Sequence, residues 1–298
     1  MEKLLNFGLV NIDKPAGPTS FSVSEFVRRE LGLSKTSHMG TLDPKVTGVL
    51  PITLGRACKL AEYFIRHDKT YVGILETHRV CDIVELQKLI DKNFVGKIRQ
   101  TPPHRSAVAR VEREREVYYW KLLEASLPEK IDNRKLKIER EGKSFLFECK
   151  VEGGTYIRKL CSDLGEMIGG ANMGELRRIR AGEFFEVSGV RCQVSGRLVS
   201  LYEFERAVEE WKKGNESLLR EMVVPAEDAI RKVLSEVEVD KSALKSLYIG
   251  RPLLKSNVVS GDVKKGEKFA AFCGDVFVGV YRATGEDSIF GRAEFVKN

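Results

Sequence analysis

The sequence has little material for a metal site and none of the common nucleotide-binding motifs. Its six cysteines are scattered without any CxxC spacing, and its four histidines are dispersed along the chain. A zinc ribbon is therefore not expected, and we predict neither a metal nor another cofactor. Neither GxxxxGK[ST] nor GxGxxG occurs, which argues against chemistry driven by a bound nucleotide.

A membrane segment and a signal peptide are also missing from the sequence. No apolar run approaches the length of about 20 residues that a membrane-spanning helix needs, and the first residues read as a short lead-in to a strand. The cysteines are consequently expected to be reduced, and the protein is predicted to be cytoplasmic with no membrane partner.

The charge balance of the chain is basic. Fifty Lys and Arg stand against 43 Asp and Glu, which gives a formal net charge of +7 and a pI near 9.0. A basic balance favours a polyanionic partner such as RNA or DNA, although a solvated basic surface explains it equally well. The hydrophobic content of 42% is sufficient for a globular core, so the chain is not expected to be disordered.

The 298 residues fit one large domain followed by a small one. Helical and strand-like patterns continue to about residue 234, which predicts a first domain at 1–234. Beyond it, repeated glycines separate short β-type runs such as 276–280. This pattern predicts a small, mostly β domain at 235–298.

Local patterns predict several helices. Ser22 and Glu25 form a capping-box pattern at the start of one helix. An apolar stripe over 157–168, closed by glycine, predicts a second. The stretch 201–234 is predicted to be largely helical with a break at Pro225.

The most informative stretch is the run SHMGTLDPKVTG at 37–48. It is a polar loop with one carboxylate, Asp43, between glycines that permit unusual backbone angles, and Pro44 stiffens the chain after the acid. Asp-Pro turns are common at surfaces, so the local chemistry alone favours an ordinary turn.

Three further stretches carry candidate functional side chains. GGTYIR places Arg158 in the first turn of a helix, where it could keep a nearby carboxylate ionised; the alternative is an exposed arginine, which the helix dipole disfavours. Tyr71 in KTYVG could stack on a nucleobase or be an ordinary strand tyrosine. Arg177, Arg178 and Arg180 are natural phosphate contacts, with a solvated basic face as the equal alternative.

In their order along the chain, these stretches resemble the pseudouridine synthase family that contains bacterial tRNA pseudouridine-55 synthase and the dyskerin-type enzymes. The segments that carry the resemblance are GLVNIDKPAGPTS, SHMGTLDPKVTGVLPITLGRA, KTYVG, GGTYIRKL and LRRIRAG, spread over most of residues 7–190. The resemblance implies an α/β (α+β) catalytic domain with a mixed, mainly antiparallel sheet and a cleft at Asp43. More weakly, the C-terminal part resembles a PUA domain, an RNA-binding module.

The resemblance also implies the catalytic roles. Asp43 is expected to be the catalytic aspartate, Arg158 to pair with it, and Tyr71 to stack on the target base and help move the proton from its C5. The reaction breaks a C–N bond and forms a C–C bond without oxidation, so no cofactor is needed. Covalent catalysis and removal of a ribose proton both remain open to a carboxylate, and the target base must leave its stack.

Five more residues match the family's motifs and take supporting roles by resemblance. His38 is expected to help hold the RNA with the base extruded, and Leu176 to line the base pocket. Tyr156 is expected to brace the site. Lys14 and Pro15 are expected to support the loop that carries the aspartate.

The details resemble the archaeal dyskerin-type branch. The segment QTPPHRSAV at 100–108 resembles the QxPPxRSAV of that branch, and Pro-Lys-Val-Thr-Gly after Asp43 is also typical of it. Enzymes of this branch work in an H/ACA ribonucleoprotein, so the implied partners are an H/ACA guide RNA, an rRNA or tRNA substrate, and small ribonucleoprotein proteins. A standalone tRNA pseudouridine-55 synthase and a non-catalytic RNA-binding scaffold are the alternatives.

Two features differ from that branch. Met39 stands where the branch more often has Ser, and the chain begins only a few residues before its first motif. Dyskerin-type chains carry a longer N-terminal extension that packs on the PUA domain, so the anchoring of this domain is left open. On the PUA domain, Lys245, Arg251 and Lys255 are selected by charge and position as RNA contacts.

Overall fold

The computed structural model describes residues 1–65, 67–102, 110–126, 141–185 and 196–297. Within these ranges the chain forms a sheet of eleven strands followed by a sheet of six.

The larger sheet and its helices are built from the residues up to Ile230. Its strands are β1 (Phe7–Lys14), β2 (Thr36–His38), β3 (Thr47–Gly55), β4 (Lys69–Asp82), β5 (Gly96–Gln100), β6 (Arg113–Ser126), β7 (Glu141–Val151), β8 (Ala171–Ala181), β9 (Phe184–Phe185), β10 (Leu198–Ser200) and β11 (Val223–Pro225). The helices are α1 (Glu2–Asn6), α2 (Ser20–Glu30), α3 (Ala61–Ile65), α4 (Ile83–Asn93), α5 (Ile157–Ile168), α6 (Leu201–Lys212), α7 (Ser217–Met222) and α8 (Ala226–Ile230), with a 3₁₀ turn at Arg56–Leu60.

The larger sheet has the strand order β10-β1-β3-β8-β4-β7-β6-β5, with β11 on β1, β2 on β3 and β9 on β8. The pairs β1–β10 and β3–β8 are parallel, and the remaining pairs are antiparallel. The expected mixed, mainly antiparallel sheet is therefore confirmed. In its centre, Gly48, Arg178 and Tyr71 lie opposite one another on β3, β8 and β4.

Helices pack on both halves of this sheet because their apolar stripes need a partner surface. On the β1 half, α2 and α6 meet through Phe26 and Phe204, whose ring centroids are 6.4 Å apart. On the β7 half, α4 and α5 bury Ile90 and Leu160 against Phe147 and its neighbours. The two halves meet at the central strands β3, β8 and β4, which are neighbours in the sheet.

The helix boundaries confirm two predictions and correct one. Helix α5 spans the predicted residues and ends at Gly169, whose φ of 85° is left-handed. The N-cap of α2 is Thr19, whose hydroxyl accepts a hydrogen bond from the Ser22 N–H, so the capping box predicted at Ser22 is wrong. The stretch 201–234 is largely helical, and its predicted break at Pro225 coincides with the short strand β11, which pairs with β1.

The smaller sheet begins at Ser235. Its strands are β12 (Ser235–Val239), β13 (Leu253–Leu254), β14 (Val258–Ser260), β15 (Lys268–Cys273), β16 (Val276–Ala283) and β17 (Ile289–Val296), in the order β13-β17-β16-β15-β12-β14. Helix α9 (Leu244–Tyr248) and 3₁₀ turns at Lys241–Ala243 and Lys255–Asn257 connect them. The C-terminal part is thus rich in β structure, as predicted.

The two sheets share an apolar core. The Phe7 ring of β1 stacks on Phe277 and Phe295, with centroids 5.9 and 6.1 Å apart. Beside these rings, the Tyr63 hydroxyl donates a hydrogen bond of 3.1 Å to the Glu294 carboxylate. The smaller sheet is therefore anchored by β1 and α3, which answers the question that the sequence left open.

Candidate active site

The loop between β2 and β3 carries Asp43 and is held at the residues on either side of it. The Ser20 hydroxyl accepts a hydrogen bond of 2.8 Å from the Leu42 N–H and donates one of 3.0 Å to the Leu42 carbonyl. The Gly17 N–H donates to the Pro44 carbonyl at 2.9 Å. The backbone is thus fixed on both sides, while the Asp43 side chain is 51% exposed.

Lys14, at the end of β1, supports the same loop from beneath. Its buried ammonium donates hydrogen bonds to the carbonyls of Pro15, Pro44 and Val46 at 2.9, 3.0 and 2.8 Å. Burial lowers the pKa of Lys14. A residue that supports this loop must contact its backbone, and these hydrogen bonds are such contacts. The supporting role of Lys14 and Pro15 stays a prediction.

Arg158 projects from the first turn of α5 and donates a hydrogen bond to the Asp43 carboxylate. The start of α5 is fixed by Gln100, which accepts from the Tyr156 N–H at 3.0 Å and donates to its carbonyl at 3.3 Å. Residues 103–108, the rest of the segment that resembles the dyskerin-type branch, lie outside the described residues. Arg158 is about half exposed, so the ion pair remains open to a substrate.

An apolar wall lies next to this pair. Leu42 and Val46, from the loop itself, are buried in one cluster with Tyr71 and Leu176. Gly73 allows β4 and β8 to approach here, since a Cβ on it would lie 2.7 Å from Leu176 Cδ1. Burial raises the pKa of Tyr71, so its hydroxyl is protonated at neutral pH.

Arg178 is not the surface phosphate contact that the sequence suggested. It is 1% exposed, and its guanidinium donates to the Val49 carbonyl at 2.8 Å and to the Gly40 carbonyl at 2.9 Å. Across the β4–β8 pair it lies directly opposite Tyr71. Consecutive side chains of a strand point to opposite faces, so its neighbour Arg177 stays near the surface while Arg178 is buried.

The other two arginines of the basic cluster are partly exposed. Arg177 makes a two-pronged contact with Asp13, both bonds being 2.9 Å long. Arg180 donates to the Gly182 carbonyl at 2.7 Å and lies 3.8 Å from Glu183. For these two, RNA contact stays a prediction.

Two basic groups close to Arg178, those of His38 and Lys69, have lowered pKa values. His38 is half-buried, and burial together with the Arg178 charge lowers its pKa; its Nε2 lies 3.1 Å from the Thr41 hydroxyl. Burial and Arg178 lower the pKa of Lys69 to about 8, and its ammonium donates to the carbonyl of Ile65 at 2.7 Å. Sequence reasoning missed Lys69 and the loop-binding hydroxyl of Ser20, although both lie inside the motifs KTYVG and GPTS.

Lys245, Arg251 and Lys255 are exposed on the smaller sheet's connections. Ile249, two residues before Arg251 in the chain, is 71% exposed, so this connection presents an apolar side chain as well as charged ones. A surface of this composition suits RNA, whose phosphates and bases need both kinds of contact. Their role stays a prediction.

Two searches over the described ranges were negative. No group of three or more His, Cys, Asp and Glu in these ranges is arranged to hold a metal ion. Among the same residues, no helix has the length and apolar character needed to cross a membrane.

The chain is similar to known proteins over most of its length. Residues 28–157 match the model of the TruB family pseudouridylate synthase N-terminal domain, and 158–231 match that of the tRNA pseudouridylate synthase B C-terminal domain. "Probable tRNA pseudouridine synthase B" of Archaeoglobus fulgidus is 41% identical over 276 residues, which cover 91% of this chain and 77% of the relative.

Solved structures are similar over nearly the whole chain. A chain in a crystal structure of a Cbf5-Nop10-Gar1 complex has a TM-score of 0.84 and 32% identity, covering 99% of this chain and 86% of that one. A chain in the structure of an H/ACA RNP bound to a substrate RNA containing 2'-deoxyuridine has a TM-score of 0.82 and 30% identity, with the same coverage.

Proposed function

This chain belongs to the TruB family of pseudouridylate synthases, and we propose that it is the catalytic subunit of an H/ACA guide-RNA ribonucleoprotein that acts on rRNA or tRNA. The family resemblance inferred from the motifs is thereby confirmed, and the chain is an RNA pseudouridine synthase. The guide-dependent assembly is the proposed step. It is supported by the likeness to a Cbf5-Nop10-Gar1 complex and to an H/ACA RNP over nearly the whole chain.

The observation that carries the catalytic proposal is the half-exposed Asp43–Arg158 pair next to the apolar wall of Tyr71 and Leu176. Uridine isomerisation needs one ionised carboxylate at the C1' side of a base that has left its stack. Arg158 orients the Asp43 carboxylate and favours its charged form. Tyr71 and Leu176 offer the extruded uracil an apolar face. His38, the last residue of β2 before the loop, helps to keep the RNA in place.

The chemistry of the carboxylate follows one of two routes. Asp43 either attacks the ribose and forms a covalent intermediate, or removes a ribose proton as a general base. Either route lets the uracil detach, rotate and re-form a bond through C5, with no oxidation and no external group. We assign to Tyr71, which lies in the apolar wall beside the loop of Asp43, the role of stacking on the uracil and helping to move the C5 proton.

The proposal includes the two-domain division expected from the sequence. Residues 1–234 form the catalytic domain, and residues 235–298 form a PUA domain that binds RNA through Lys245, Arg251 and Lys255. The partners are a guide RNA, the substrate RNA and small proteins of the kind named in the Cbf5-Nop10-Gar1 complex. The proposal also keeps the cytoplasmic location, because the enzyme must meet its tRNA or rRNA substrate.

A standalone tRNA pseudouridine-55 synthase is the second candidate. It is favoured by the match of residues 158–231 to a tRNA pseudouridylate synthase B domain and by the name of the Archaeoglobus relative. It would use the same Asp43 chemistry but recognise the tRNA directly, without a guide.

Pseudouridine formation in two reactions separates these candidates. One contains the purified protein with a tRNA transcript alone; the other adds a substrate RNA, a matching H/ACA guide and the small partner proteins. Product only or mainly in the second supports the guide-directed subunit. Efficient product in the first with no gain from the guide supports the standalone enzyme, and no product in either, with RNA still bound, supports a scaffold.

A further inference from the structure

We propose that Arg178 is a positioning residue that fixes the Tyr71 hydroxyl relative to the loop carrying Asp43, a role that rests on the proposed function. The loop begins after His38, the last residue of β2, and joins β3 at Thr47; Gly40 lies near its start and Val49 just inside β3. The Arg178 guanidinium donates to the carbonyls of both residues, at 2.9 and 2.8 Å. It therefore connects the two ends of the loop that carries Asp43.

The same guanidinium reaches the tyrosine. Tyr71 and Arg178 are opposite residues of the antiparallel strands β4 and β8, so their side chains lie next to each other on one face of the sheet. One rigid, planar group thus binds the start of the loop and the start of β3, and it lies beside Tyr71 of β4. Arginine suits this position because its donors are fixed in a fork, whereas a lysine offers a single point of charge.

Two glycines let the loop close on this arginine. Gly40 has a φ of 89°, and a Cβ on it would lie 3.2 Å from Nη1 of Arg178. Gly48 has a φ of 102°, and a Cβ on it would lie 2.2 Å from the Arg178 carbonyl oxygen. The loop therefore adopts left-handed backbone angles and avoids side chains at the two points where it meets Arg178.

The burial of Arg178 is costly for the fold alone. It is 1% exposed, and none of the ion pairs found among the described residues gives it a carboxylate partner. A buried cation without a counter-ion loses hydration that carbonyl acceptors only partly replace. Because Arg178 is buried at this cost and binds the carbonyls of Gly40 and Val49 beside Tyr71, we assign it to positioning the site and not to stability alone.

The experiment compares Arg178→Lys with wild type in single-turnover pseudouridine formation at saturating enzyme. We expect the rate to fall by about 10²-fold, because small displacements at a reacting centre cost this much, with the dissociation constant for RNA unchanged. Tyr71→Phe removes the hydroxyl. If Arg178 acts through Tyr71, the rate of the double variant should be no lower than that of the slower of the two single variants. Arg206→Lys, on the exposed face of α6, is the matched control and is expected to behave as wild type.

Several results would overturn the proposal. A weaker RNA affinity with an unchanged saturating rate would make Arg178 the phosphate contact that the sequence suggested. Additive losses in the double variant would separate Arg178 from Tyr71. If Arg178→Lys does not fold, Arg178→Gln is measured in the same way, and failure of both to fold would assign Arg178 to stability alone. All rates are ratios to an active wild type. A wild type without activity would end the proposed function together with the role built on it, whereas an active wild type with an unchanged Arg178→Lys rate would overturn the positioning role alone.

Discussion

The buried ammonium of Lys14 lies 2.8 Å from the carbonyl oxygen of Val46, and it contacts the Pro44 carbonyl at 3.0 Å. Both carbonyls belong to residues that follow Asp43 within the loop. The end of the first strand and the catalytic loop are therefore joined by one side chain. Because the Val46 carbonyl is buried, losing its donor leaves an acceptor without a partner and away from water.

Lys14→Met is expected to lower the free energy of unfolding by about 2 kcal/mol, the cost of leaving a buried acceptor unpaired. The rate of pseudouridine formation is expected to fall as well, since the loop loses its support. Urea unfolding and single-turnover assays measure the two effects. Lys45→Met, at an exposed position of the same loop, is the control and should change neither stability nor fold. A Lys14 variant as stable as the control would contradict this account.

Arg158→Lys is expected to slow the chemical step by about 10²-fold with little change in RNA affinity. The substitution keeps the charge beside Asp43 but replaces a planar fork by a point charge, so the carboxylate is less well oriented. Single-turnover rates and a filter-binding isotherm separate the two quantities, and Asp43→Asn defines the rate without a carboxylate. Loss of affinity at an unchanged rate would make Arg158 an RNA contact instead.

Phe7→Ala is expected to lower the free energy of unfolding by about 3 kcal/mol, the usual cost of emptying a buried aromatic site. The vacated space lies between the sheets, where Phe7 stacks on Phe277 and Phe295. Phe21→Ala, at a position that is 66% exposed, is the control and should have almost no effect. Denaturant unfolding checks both variants, and equal stabilities would mean that β1 does not anchor the smaller sheet.

Local signals explain which parts of the fold were predictable. Helix α5 has the predicted bounds because an apolar stripe and the glycine at 169 are both encoded within a few residues. The break at Pro225 was predicted from the proline itself, but the short strand β11 at that point was not, because its conformation depends on pairing with β1, about 200 residues away in the chain. The N-cap was misplaced because Thr19 and Ser22 are both good capping residues.

In the candidate site, too, the contacts that depend on distant parts of the chain could not be predicted from local patterns. Asp43 and Arg158 are separated by 115 residues, so their contact was implied by family resemblance and not by any local pattern. Arg178 was misread because three arginines in a short run suggest a basic surface. In a strand, however, successive side chains point to opposite faces, so one of the three can be buried while its neighbour is not. Which face is covered depends on β3 and β4, and the sequence of β8 alone does not contain that information.

Lys69 predicts a specific dependence of stability on pH. Its pKa in the folded protein is about 8, below the ordinary value of 10.5, so the unfolded chain binds more protons between these two pH values. Stability contributed by this residue should therefore rise as the pH increases from about 8 towards 10.5. The difference in unfolding free energy between wild type and Lys69→Met, measured in urea at several pH values, should increase over that window. Lys59→Met, at an exposed lysine, should give a difference that does not vary with pH.

Arg251→Glu tests the RNA face of the smaller sheet. Arg251 is exposed between Lys245 and Lys255, so reversing its charge should weaken RNA binding and reduce the slope of log affinity against log salt by about one, as for one lost phosphate contact. The single-turnover rate on saturating RNA should stay unchanged, because the residue is not part of the Asp43 site. Lys88→Glu, an equal charge reversal on the exposed side of α4, is the control for general electrostatic attraction. If both reversals weaken binding equally, the attraction is a property of the net charge and Arg251 makes no specific contact; if only Arg251→Glu does, the smaller sheet holds the RNA while the larger one modifies it.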